Sequence, residues 1–282
     1  TAYNTYTGSI TANWTDTSGN PGGTQYYLER AKDDGFTQDL VNSGWTASLS
    51  TTSYSLLANT TYHYHIKSRN NSNVETAGWV TMGSTSTLCE VPAAPTISDV
   101  LTSSITLAIN TGTNPYWSKY AVKVSSGGID RYVQANGTLN TGEVYQTTDS
   151  WKTSTSAQTG KLWLTGLVSN TTHQFSISAQ NSNDVNTVYG GVNSTSTLCV
   201  VPVVTTAYNT YTGSITANWT DSGNPGGTQY YLERSTAANF TPSVNSDWTT
   251  SLSTTSYSLL ANTTYHYHIK ARNNSNVETA GW

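Results

Sequence analysis

The side chains best suited to chemistry in this 282-residue chain are five histidines and sixteen carboxylates. His63 and His65 stand two residues apart, and His266 and His268 repeat the spacing. On a strand this places both imidazoles on one face, half of a zinc or copper site. No third ligand recurs beside them, so the spacing predicts an exposed pair on an outward polar face. Asp16 and Glu29 read as isolated carboxylates on turn and strand, not as an acid–base pair. There is no nucleophile elbow, phosphate loop or dinucleotide fingerprint, and Gly22-Gly23 and Gly127-Gly128 read as turn glycines. No catalytic residue, cofactor or metal is assigned.

Aromatic and thiol chemistry is better supplied. Tyr27, Trp45, Trp79, Trp117 and Trp151 are candidates for an aromatic contact surface. They suit a stacking platform for sugars, or packing at sheet edges and between modules or subunits. Cys89 and Cys199 sit at equivalent places, in STSTLCEVP (84–92) and STSTLCVVP (194–202). With one per module, they are expected to be buried thiols acting as small hydrophobes at the linkers. The alternative is a crosslink between neighbouring chains, which an oxidising exterior permits.

The elements that must hold these residues are strands. Thr (51), Ser (36) and Asn (26) dominate, while 19 Tyr and 9 Trp stand against 3 Phe. Aromatic and β-branched residues fit a pleated, half-buried surface, and the helix formers are scarce. The expected class is all-β. Twelve basic against sixteen acidic residues leave a net charge of -4, with no basic footprint for nucleic acid. No apolar run approaches the roughly 20 residues of a membrane-spanning segment.

Repetition sets the organisation. TAYNTYTGSITANWTD (1–16) recurs at 206–221, SGNPGGTQYYLER (18–30) at 222–234, and 46–79 matches 249–282 at 32 of 34 positions. The segments 31–45 and 235–248 have drifted, as exposed loops can. The expected modules are 1–91, 92–201 (divergent) and 202–282. Within the first, Ile10, Ala12 and Trp14 alternate with polar residues, as do Tyr62, Tyr64 and Ile66 along Thr61–Asn70. About seven strands in ninety residues is sandwich spacing.

Leu57-Ala-Asn-Thr-Thr-Tyr62-His-Tyr64-His-Ile66 resembles the late-strand signature of fibronectin type III domains, and Trp14 resembles their second-strand core tryptophan. Trp219, Leu260 and Tyr265 repeat the pattern. In the middle module Ile109 takes the tryptophan position and His173 that of the corner tyrosine. The resemblance implies three tandem immunoglobulin-like β-sandwiches, with Trp14, Leu57, Tyr62, Trp219, Leu260 and Tyr265 as core and tyrosine-corner residues. Asn59 and Asn262 fall in the corner turn, where an amide has a conformational job.

The third module lacks a counterpart of Val80–Leu88, its last strand, which predicts either a window on a longer repeating polypeptide or a strand supplied by a neighbouring chain. The expected function is a non-enzymatic extracellular or cell-surface spacer, stalk or filament subunit. Its expected partners are its own kind. The alternative is a carbohydrate-binding or adhesive module using the exposed aromatics. Similar Thr/Asn-rich repeats imply a bacterial exterior.

Overall fold

The computed structural model describes residues 2–16, 19–151, 161–205 and 208–282. All the regular elements among these are strands, apart from one 3-10 turn at Thr148–Ser150. The first seven are β1 (Ala2–Thr5), β2 (Ile10–Asn13), β3 (Gln25–Ala31), β4 (Val41–Thr46), β5 (Ser50–Ser53), β6 (Thr61–Arg69) and β7 (Val80–Ser86). They form two antiparallel sheets, β1-β2-β5 and β4-β3-β6-β7. Period-two alternation explains the layering: β6 buries Tyr62, Tyr64 and Ile66 and turns His65 and Lys67 outward. Ile10, Ala12, Tyr26, Leu28 and Met82 complete the core from both sheets.

The second sandwich contains β8 (Thr96–Ser98), β9 (Ser104–Ala108), β10 (Lys119–Ser126), β11 (Ile129–Val133), β12 (Leu139–Asn140), β13 (Gln146–Thr147), β14 (Lys161–Thr165), β15 (Thr172–Gln180) and β16 (Asn193–Ser196). Sheet β14-β9-β8 faces β12-β11-β10-β15-β16. The third contains β17 (Val203–Val204), β18 (Asn209–Tyr211), β19 (Ser214–Thr220), β20 (Gln229–Ser235), β21 (Val244–Thr249), β22 (Ser253–Ser256) and β23 (His266–Arg272). β6 and β15 are each paired on both sides, whereas β23 pairs with β20 alone among the described residues.

Two expectations about the corner need correcting. Leu57 and Leu260 are not core residues: they are 59% and 72% exposed, and the buried leucines are Leu56 and Leu259. Leu57 contributes its backbone instead. Its N–H donates to the Tyr62 hydroxyl at 3.1 Å, and Leu260 N–H to Tyr265 at 3.0 Å. The pleat carries only one of two adjacent leucines inward, and the pattern of residues alone leaves open which. In the second sandwich the polarity reverses: the partner is the Val168 carbonyl, which can only accept, so His173 Nε2 donates to it at 3.4 Å. Burial pulls the His173 pKa below 6.5 and keeps the ring neutral.

Candidate interaction surfaces

The outer face of β4-β3-β6-β7 gathers three of the five expected aromatics. Register places Tyr27 beside Trp45 on β4 and Lys67 on β6, and Glu29 beside His65. The bend before β7 folds Trp79 over the same face. Trp79 stacks on His65 at 3.8 Å, and Phe36 covers the other side of that ring at 3.5 Å. Lys67 Nζ lies 4.8 Å from the Trp79 ring and 5.7 Å from Trp45, and the Arg69 guanidinium caps Trp45 at 4.4 Å. The result is a continuous ladder, Phe36–His65–Trp79–Lys67–Trp45–Arg69. Its cations are held at the edges by Glu75 (2.6 Å from Lys67) and Gln25 (2.7 Å from Arg69).

This overturns two expectations. His65 is not an exposed member of a pair but a stacked ring whose Nε2 meets Glu29 at 2.8 Å, and Glu29 is therefore not isolated. No cluster of three metal-ligating side chains occurs among the described residues. The ladder recurs in the third sandwich as Phe240–His268–Trp282–Lys270–Trp248–Arg272, with Glu233 on His268 at 2.9 Å. Phe36 and Phe240 come from the drifted loops, both at φ 56. A bulky residue in that region carries strain of about 1–2 kcal/mol, offset here by ring stacking. Only three Phe occur in the chain, two of them at matching places, and this scarcity is the one sign of the ladder's end that composition carries.

Stacked in this way, the rings have their faces covered from within. A sugar would have to displace Lys67 or Arg69 to reach Trp45 or Trp79, so the face is a self-completed girder more than an open platform. Trp117 and Trp151 lie elsewhere. Trp151 is not a surface residue: it is 5% exposed in the core of the second sandwich. Trp117 is half exposed, and its indole N–H donates to the Asn59 carbonyl at 3.0 Å, across a junction.

That junction is the second surface. Asn59 is 1% exposed with φ 41, a conformation asparagine tolerates because its short amide bonds locally. Its Nδ2 donates to Ser118 Oγ at 2.7 Å, and its Oδ1 accepts the Ser182 N–H at 2.7 Å and hydroxyl at 3.0 Å. Asn170, 2% exposed with φ 44, repeats this one sandwich later. It donates to Thr228 Oγ1 at 2.7 Å and accepts the Asn274 N–H at 2.8 Å. Asn181 reaches back to the Thr87 carbonyl at 3.0 Å, and Asn273 to that of Thr197 at 3.2 Å. The linker is clamped alike both times: Asn114 holds both backbone groups of Glu90 (2.7 and 2.9 Å), and Asn224 both of Val200 (2.8 Å each).

Cys89 and Cys199 are free, buried thiols whose pKa is pushed to about 11 by burial, so both stay protonated and unreactive. Each packs into the core that follows it: Cys89 with Ile105 and Tyr120, Cys199 with Trp219 and Tyr230. Trp219 is 4% exposed, whereas Trp14, in the same sequence context, is half-buried at the edge of its core.

Sheet order and corner tyrosines together define tandem antiparallel β-sandwiches. No family model and no curated protein matches the chain. Among solved structures, a two-domain fibronectin type III segment of chicken tenascin aligns with TM-score 0.42 and 13% identity, over 68% of this chain and 97% of that one. The FN1–FN3 domains of chicken CNTN1 align with TM-score 0.28 and 14% identity, over 98% and 92% of the two chains. No helix among the described residues is long and apolar enough to cross a membrane.

Proposed function

We propose that the chain is a non-enzymatic structural repeat protein, three fibronectin-like modules joined end to end as an extracellular spacer, stalk or filament segment. The observation that carries this is the junction built twice from matched residues around Asn59 and Asn170. A fully bonded polar network at each joint fixes the angle between neighbours, and repeating it fixes the pitch of the array. The linker adds stiffness: a Cβ on Gly190 would overlap the Pro92 carbonyl, so the chain between modules lies pressed against the second sandwich. We place the module boundaries just before Cys89 and Cys199, because each thiol belongs to the core that follows it. Against catalysis stands the use of Glu29 and His65, walled between Phe36 and Trp79 as parts of a ladder.

Small-angle X-ray scattering on the whole chain tests the reading. A rod with one maximum dimension, unchanged by salt, is the expected result. A broad distance distribution that shifts with ionic strength means freely jointed beads and overturns it.

A further inference from the structure

Arg30 and Arg234 point inward. Each follows a buried Tyr and Leu on the core face of its strand, Tyr26 and Leu28 on β3, Tyr230 and Leu232 on β20. Register sets Arg30 opposite Tyr64 and Arg234 opposite Tyr267. The guanidinium groups lie over the corner rings, 5.1 Å from that of Tyr62 and 5.6 Å from that of Tyr265. Neither makes an ion pair among the described residues. Asp39, whose carboxylate feels Arg30 at a distance, is bonded to Lys32 at 2.7 Å. Arg30 Nε is buried without a hydrogen-bond partner, as are the hydroxyls of Tyr64 and Tyr267.

Beside each arginine the two sheets part between their edge strands. The gap between β4 and β5 is a cavity of about 150 Å³, with Arg30, Asn42 and Ser53 in its wall. Between β21 and β22 the matching Arg234, Asn245 and Ser256 border a cavity of about 240 Å³. No acidic side chain lines either one. Ser53 and Arg30 are polar neighbours of the Tyr64 hydroxyl, and Ser256 and Arg234 of that of Tyr267. Asn42 uses its carbonyl on the Gly44 N–H at 3.1 Å, which leaves its amide nitrogen to donate.

The fold does not need this polarity. In the second sandwich Val124 takes the place of Arg30, Phe175 that of Tyr64, and Leu164 that of Ser53. All three are buried in its core, at 2% exposed or less. The polar trio is therefore exchanged as a set. A guanidinium is always charged and costly to bury unpaired, and an apolar trio avoids that cost. Keeping the charge twice, in matched cavities lined by donors, calls for an anion.

We infer that each cavity is a binding site for a carboxylate, one in the first sandwich and one in the third. The planar guanidinium offers parallel N–H bonds to the two carboxylate oxygens, and the Tyr64 and Ser53 hydroxyls are at hand to donate from the inner wall. Cavities of this size take a short-chain acid or the tip of an acidic side chain. The carboxylate thus has two sources, a free small acid or a glutamate on another chain.

The test titrates sodium propionate into the isotope-labelled full chain at constant ionic strength, with sodium chloride as the control. The Nε–H signals of Arg30 and Arg234 should both shift and saturate, with a midpoint of about 1–10 mM, ordinary for so small a ligand. Chloride should leave them in place. A blocked Gly-Glu-Gly tripeptide separates the sources: a response to propionate alone assigns the site to free acids, and a response to both opens it to an acidic side chain. A chain carrying Arg30→Val, Ser53→Leu and Tyr64→Phe, the set of the second sandwich, should lose the response in the first sandwich and keep it at Arg234. Arg30→Met alone, which retains an apolar stem over Tyr62, should do the same. No saturation at either arginine overturns the inference. So does an equal shift at Arg69 and Arg272 on the outer face, or a response of the Asn42 amide in these variants equal to the parent's.

Discussion

Asn59→Gly should turn the first junction into a hinge without unfolding either sandwich. The side chain makes three hydrogen bonds across the joint, to Ser118 and twice to Ser182. At about 0.5–1.5 kcal/mol net for each, their loss removes about 1.5–4.5 kcal/mol of closure. Water reaches Ser118 and Ser182 once the joint opens, which favours the lower half of that range. Taking about 2 kcal/mol, the open population rises roughly thirtyfold. Glycine is the informative substitution because it keeps φ 41 without strain and leaves the Asn59 carbonyl available to the Trp117 indole. Alanine would add about 1–2 kcal/mol of left-handed backbone strain and blur the result. Residual dipolar couplings read the outcome directly. In the parent one alignment tensor should fit the first two sandwiches; in the variant the two tensors should diverge while melting midpoints stay within a few degrees. A variant that keeps a single shared tensor refutes the claim that this asparagine fixes the angle.

Trp219→Ala should destabilise its sandwich by about 3–5 kcal/mol as a buried truncation, and Trp14→Ala its own by clearly less, because Trp14 is only half-buried; denaturant titration of each variant measures the gap. Phe36→Gly should be the more stable replacement by about 1 kcal/mol over Phe36→Ala, since both lose the stack on His65 but only glycine relieves φ 56. The second sandwich should lose stability in acid. His173 is neutral when buried and its folded pKa is depressed, so the unfolded chain takes up the proton first as pH falls through 6.5. That contribution is complete above 6.5 and is lost progressively towards the lower folded pKa. His173→Tyr should flatten the melting midpoint across about pH 7 to 5, the range over which an imidazole titrates.

The strands were readable because β6 and β2 state their pleat outright: apolar at even positions, polar at odd, with turn residues between. The corner tyrosines were readable for the same reason. The ladder was half legible. Tyr27, Trp45 and Trp79 stood out by type, but which faces they cover depends on cross-strand register, and Phe36 sits in a loop whose sequence has no period at all. Trp151 stands in a polar stretch of sequence that suggests exposure, whereas the core it enters comes from distant strands. The sequence around Asn59 speaks only of a turn. The φ of Asn59 is local and follows from the corner, but its partners Ser118 and Ser182 are 59 and 123 residues away. Neither spacing has a pattern that alternation or turn chemistry can expose.

The choice of asparagine over leucine at the joints follows from repetition itself. Near-identical modules present the same ends many times, and an apolar end left uncovered on any one of them would pair with any other, giving heterologous contacts that propagate without closing. A polar socket avoids this. An exposed amide is hydrated at little cost; buried beneath the linker, Asn224 and Asn273 each find a backbone partner, in Val200 and Thr197. The joint therefore gains angular specificity in place of bulk affinity, and depends on the covalent linker to hold the partners together at high effective concentration. At the second joint the linker brings Cys199 and Val204 onto the apolar core around Trp219, along the path of the chain itself. In the proposed array, joints of this kind hold neighbours at one angle through polar groups in place of a sticky apolar face.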